Sequence, residues 1–228
     1  MSAAEQIENL ISSVEADLGI EANAPVTEGN KQQQQQTGQK EQSKRVKTPK
    51  TPKVSAINSN QPEITKLDIR VGHIINVWKH ETADKLYCEE IDVGEDAPRQ
   101  IASGLVAHYT LEEMQDRRVL VLCNLKARNL VGFRSHGMVL CAAVPVADGK
   151  EHVAFVTPPL DAKVGERITF PGLVGEPLSP AQVEKKKVLA VLGDAMKTDD
   201  KGVAKWLEHE FTTSAGPCTA LVNNGVIR

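Results

Sequence analysis

Asn124-Leu-Lys-Ala-Arg-Asn-Leu-Val-Gly-Phe-Arg-Ser-His-Gly-Met138 holds three cations, Lys126, Arg128 and Arg134, and no acid. Its surroundings have the opposite balance, since residues 61–165 as a whole sum to −3. Short apolar runs flank it, Arg118–Leu122 on one side and Met138–Ala143 on the other, and both read as buried strands. The stretch between them is polar and punctuated by Gly132 and Gly137, so it is expected to be a long loop between two core strands.

Working outward, further strand-like runs occur at Leu67–Trp78, Leu86–Asp92, Arg99–Ala102 and His152–Thr157. Thr110-Leu-Glu-Glu113 has the spacing of a capping box, which predicts a short helix after the third strand. About five strands with one helix inserted after the third is the order of an OB-type barrel. The expectation is therefore a mostly β chain, with an OB-fold barrel over residues 62–165. Residues 166–228 read as a small α+β extension packed on it. In that extension Ser179-Pro180 supplies an N-cap and a first-turn Pro, predicting one helix to about Leu192, stopped by Gly193. Strand-like pieces near Trp206–Phe211 and Thr219–Leu221 follow.

The N-terminal quarter has a different texture. Residues 1–30 carry a net −6 and residues 31–60 a net +6. Ile7, Leu10, Ile11, Val14 and Leu18 share one helical face, predicting a short amphipathic helix within residues 1–20 that is a candidate partner contact. From 21 to 61 the chain is rich in Gln, Lys, Thr and Pro, a composition expected to stay disordered because it buries too little apolar surface. Lys44, Arg45, Lys47, Lys50 and Lys53 in this linker are candidates for auxiliary, sequence-independent contacts to a polyanion.

Catalytic signatures are missing. No phosphate-cradling Gly loop or nucleophile elbow occurs, and the six His and four Cys show no spacing suited to zinc. Ser135 beside His136 has no orienting acid implied. The expectation is no enzyme, no cofactor and no metal site. With no apolar stretch of membrane-spanning length and no signal-peptide core, the expected setting is cytoplasmic.

Four motifs carry a resemblance: Leu67-Asp-Ile-Arg-Val-Gly72, His80-Glu-Thr-Ala-Asp-Lys-Leu-Tyr87, Ala102-Ser-Gly-Leu-Val106 and the 124–138 segment. In this order, and continuing through Gly175-Glu-Pro-Leu-Ser-Pro-Ala-Gln-Val-Glu-Lys-Lys-Lys187, the chain resembles the tRNA-binding domain of EMAP II-like proteins, Arc1p and some tyrosyl- and methionyl-tRNA synthetase extensions. That resemblance implies an OB barrel holding folded tRNA largely by shape and backbone. It also implies synthetase partners, and an extension that imitates a dimer interface within one chain and so keeps it monomeric. An interaction or cytokine-like signalling role on the same fold is the alternative it leaves open. The family pattern in the loop runs roughly N-L-K-P-x-K-x-R-G-x-x-S-x-x-M. Here Ala127, Asn129 and Val131 depart from it.

Candidate contacts follow from residue chemistry. Lys126, Arg128 and Arg134 suit phosphates, while Asn124 and Ser135 offer neutral hydrogen bonds to phosphate or 2′-OH groups. Ser103-Gly104 is small enough for close backbone approach. Met138 offers an apolar surface to a base, beside a competing place in the core, and His80 with Asp84 is expected to brace a loop. Aromatic residues make up only 4% of the chain, which favours a folded RNA over a single strand threaded across stacking platforms.

Overall fold

A computed structural model describes residues 61–228. The expected N-terminal helix and the basic linker lie outside the described residues.

One long strand organises the fold. β1 (Ile69–Lys79) pairs antiparallel with β4 (Arg118–Leu122) through Ile69–His73 and with β2 (Tyr87–Asp92) through His73–Lys79. A register shift between Ile74 and Asn76 marks the bend between the two pairings. Such a bulge increases local twist, which lets one strand serve both walls of a barrel. β3 (Arg99–Ser103) adds to β2, and β7 (Met138–Val139) adds to β4. Gly72 sits where a side chain cannot: a Cβ there would come within 2.8 Å of both Ile91 and Val121 side-chain carbons.

Between β3 and β4 lies α1 (Leu111–Met114). The Thr110 hydroxyl accepts from the Glu113 N–H at 3.3 Å, and the Glu113 carboxylate accepts from the Thr110 N–H at 2.8 Å. The capping box places a fully buried Met114 among the barrel residues Ile74, Val119 and Phe155. Burying such a side chain stabilises by about 1.5–3 kcal/mol.

The expected 124–138 loop carries more order than its composition suggests. Arg128–Leu130 (β5) and Phe133–Ser135 (β6) form a hairpin with Leu130 opposite Phe133. Its two turn residues, Val131 and Gly132, have φ of 51° and 90°. Positive φ at both central positions matches the twist of the flanking strands.

β8 (Cys141–Pro145) and β9 (Glu151–Phe155) continue the chain and join the extension directly. The extension contributes α2 (Pro180–Lys185), α3 (Val188–Leu192), β10 (Met196–Thr198), β11 (Ala204–Trp206), β12 (His209–Glu210), β13 (Thr212–Thr213), β14 (Gly216–Pro217) and β15 (Val226–Ile227). Its sheet runs β12-β11-β10-β15-β8-β9, so β15 is hydrogen-bonded to β8 rather than laid over it. Backbone bonds also cross the 165/166 point, with Gly165 donating to Val71, Val71 to Glu166 and Ile168 to Ile69.

β4 records this sharing in its burial. Val119 and Val121 face the barrel core, while Leu120 and Leu122 belong to a second core with Ile168, Phe170, Val183, Phe211 and Ile227. A strand covered on both faces reads as a continuous apolar run, which is how Arg118–Leu122 appears in the sequence.

Two expected elements differ in detail. The single helix to Leu192 is broken after α2, because Lys187 adopts a left-handed conformation (φ 51°, ψ 42°) before α3 begins. The expected Thr219–Leu221 strand reduces to isolated bridges at Thr219, and β10 and β15 join β11 and β12 in the extension's sheet.

Candidate nucleic-acid interface

Cross-strand partners share a face of the sheet, so the pairings sort residues into barrel interior and outer surface. Tyr87 is opposite Ser103 and Glu89 opposite Ile101, and these four lie on the inner face. Trp78, Cys88 and Ala102 lie on the outer face, as do Asn76, Glu90 and Gln100.

The hairpin stands against this outer face. Ser135 Oγ accepts from the Ala102 N–H at 3.1 Å and donates to the Gly137 carbonyl at 3.1 Å. The His136 N–H donates to the Gln100 carbonyl at 2.8 Å. At the hairpin's other end, Phe133 meets Trp78 edge to face with ring centroids 6.0 Å apart. Both rings stay half-buried, and the next residue, Arg134, is exposed.

An internal ionic network braces the neighbouring edge. Arg99 donates to both Glu95 carboxylate oxygens at 2.8 and 2.6 Å and to the His136 carbonyl at 2.9 Å. The Glu95 carboxyl is held below its ordinary range chiefly by that hydrogen bond from Arg99. Arg70 joins Asp68 at 2.7 Å and Glu95 at 3.5 Å. These arginines hold the frame of the site. His80 does the same for the 80–87 loop, where Nδ1 accepts from the Thr82 and Ala83 N–H groups at 3.1 and 3.2 Å.

The sequence-derived contacts divide sharply. Asn124 is 6% exposed; its Oδ1 accepts from the Asp68 N–H, and its Nδ2 donates to the Lys66 and Leu178 carbonyls, all at 2.9 Å. Its amide is saturated internally, contrary to the expected phosphate or hydroxyl contact. Ser135 is likewise buried and doubly bonded. The Ser103 hydroxyl points inward and donates to Glu89, so only its backbone remains as a surface feature. Met138 is half-buried and packs against the second core. Lys126 forms an exposed ion pair with Glu184 of α2.

Gly104, Lys126, Arg128 and Arg134 are the predicted residues left exposed, and unlike Lys126 neither arginine has an ion-pair partner among the described residues. In the two-residue alternation of a strand, the Arg128–Ser135 and Asn129–Arg134 pairs project to opposite sides of the ribbon. Sequence reasoning missed Trp78, whose signal was its position at the end of a strand run. It also missed Glu184 as the partner of Lys126.

Glu89 lies beneath this surface. It is wholly buried on β2, and its Oε2 has no hydrogen-bond partner among the described residues. Burial pushes its carboxyl up to about 8 against the lowering effect of the Ser103 hydroxyl. Burial likewise drives the Cys123, Cys141 and Cys218 thiols up to about 12, which leaves them inert as nucleophiles near neutrality. Among the described residues, no cluster of His, Cys, Asp or Glu is arranged to hold a metal ion, and no helix is long and apolar enough to cross a membrane.

The barrel with its integrated extension has a solved counterpart. The C-terminal domain of Plasmodium vivax p43 superposes with a TM-score of 0.66 at 34% identity, covering 72% of this chain and 98% of that one. The tRNA binding domain family matches residues 69–167. The chain belongs to the EMAP II-type tRNA-binding domain family.

Longer relatives carry the same domain. Methionine–tRNA ligase of Arabidopsis thaliana is 48% identical over 172 residues, 73% of this chain and 21% of the ligase. The aminoacyl tRNA synthase complex-interacting multifunctional protein 1 of Mus musculus is 39% identical over 178 residues, 75% of this chain and 54% of that protein. The chain thus spans about a fifth of the plant ligase and about half of the complex-interacting protein.

Proposed function

We propose that the chain is a non-catalytic tRNA-binding protein that presents folded tRNA to aminoacyl-tRNA synthetases in the cytoplasm. The observation that carries this reading is the hairpin of the family's tRNA-binding domain. It offers Arg128 and Arg134, exposed and without ion-pair partners among the described residues, on the two sides of a ribbon whose Phe133 meets Trp78. Guanidinium groups bind phosphate oxygens through paired N–H donors, and a single aromatic edge supports shape and backbone recognition better than strand threading.

In this reading the saturated residues Asn124 and Ser135 position the hairpin, while Gly104 lets RNA approach closely. Lys44, Arg45, Lys47, Lys50 and Lys53 add sequence-independent affinity, and the N-terminal region meets the synthetase. The β15–β8 pairing supports a monomer, because β8 is bonded on both sides within the chain.

The test is a gel shift of the full chain with folded tRNA and with an unstructured RNA of equal length. Folded tRNA is expected to bind more tightly, and Arg134→Glu is expected to lower that affinity about tenfold or more without changing the melting temperature. Equal affinity for both RNAs, or none for either, contradicts the proposal.

A further inference from the structure

Glu184, Lys185, Lys186 and Lys187 are four consecutive exposed charges where α2 gives way to α3. The left-handed backbone at Lys187 interrupts the helix, so the three lysines follow one another through the bend between the two helices. Buried Val183 and Val188 anchor the bend on both sides in the second core. None of the three lysines has an ion-pair partner among the described residues. Glu184 reaches the 124–138 segment by pairing with Lys126, and Pro180 joins Leu125 and His136 in lining a groove whose other wall carries Glu95 and Arg99.

We infer that the extension supplies a second phosphate-binding surface, Lys185–Lys187, and that Glu184 occupies Lys126 as a built-in competitor until RNA phosphate replaces it. This rests on the tRNA-binding reading and extends it from the barrel to the extension. The Lys126–Glu184 pair is more than half exposed on both sides. Exposed ion pairs contribute little to stability, so a phosphate displaces the carboxylate readily. Opening that pair frees Lys126 beside three further cations on a supported bend. An RNA backbone leaving the hairpin toward α2 therefore continues along positive charge.

The experiment uses the full chain and a folded tRNA, with affinity measured from 50 to 200 mM salt. The Lys185→Gln, Lys186→Gln, Lys187→Gln triple variant is expected to bind about tenfold or more weakly at the low-salt end, and to lower the salt slope by about 2 to 3. Glu184→Gln is expected to tighten binding about two- to fivefold, the scale of one exposed pair. These side chains are exposed, so thermal melts should match the parent. A triple variant with parental affinity and slope, while Arg134→Glu still weakens binding, overturns this inference and leaves the hairpin reading intact. Unchanged affinity in Glu184→Gln overturns the masking role. A parent chain that binds no folded tRNA overturns both readings together.

Discussion

The base and the tip of the 124–138 hairpin use polar residues in opposite ways. At the base, Asn124 and Ser135 are buried and spend their hydrogen-bonding capacity inside the protein, tying together the turn before β1, the edge of β3 and the start of α2. Toward the tip, Arg134 is exposed and has no ion-pair partner among the described residues. A polar group in a binding segment can hold the segment or face the ligand. The fraction of its donors and acceptors already satisfied tells which. Substitutions at the base should therefore change stability with binding per folded molecule preserved, and substitutions at the tip the reverse.

The largest effect is expected at the base. Asn124→Ala leaves the Asp68 N–H and the Lys66 and Leu178 carbonyls without their partner, a loss on the order of 3 kcal/mol at about 1 kcal/mol per bond. Urea unfolding should show that drop, while tRNA affinity corrected for the folded fraction stays parental. A stable variant with weakened binding would move Asn124 to the ligand side of the comparison.

Next comes Glu89, under the same surface. Its carboxyl titrates near 8 in the folded chain, because burial disfavours the charge, and near 4.3 when unfolded. Between those values the folded state holds a proton that the unfolded state has lost, so stability falls as pH rises through that window. Glu89→Gln removes the effect. Its stability relative to the parent should rise by on the order of 2 kcal/mol from pH 5 to pH 7, measured by denaturant unfolding. A flat difference would mean that Glu89 is ionised in the folded chain.

Much of this was legible in the chain. The OB order came from strand runs and the Thr110 capping box, and the cation-only segment read as a loop where the structure has a hairpin. Burial direction was not legible for Ser103, Asn124 and Ser135. Each is a small polar residue whose character is the same whether it faces a ligand or a backbone. Ser103 lies opposite Tyr87, a register set by tertiary pairing and invisible in one strand alone. The break at Lys187 was hidden because Glu-Lys-Lys-Lys-Val-Leu-Ala is good helix sequence. Helix propensity is a weak preference that packing overrides, here with Val183 and Val188 buried in the same core from either side of the bend.

The smallest effect tests whether the tip is tuned for binding or for order. Val131 holds φ at 51°, a region where a β-branched side chain is strained, and it precedes Gly132 at φ 90°. Asn followed by Gly is the sequence that such a two-residue hairpin favours. Val131→Asn should therefore stabilise the protein by about 1 kcal/mol, seen as a higher unfolding midpoint. Because Arg134 lies two residues past this turn, a more ordered hairpin should also bind tRNA slightly more tightly by reducing the entropy lost on binding. If stability rises while affinity falls, the Val131 side chain itself belongs to the contact surface, and the boundary between holding and binding residues lies nearer the turn than the hydrogen bonds alone place it.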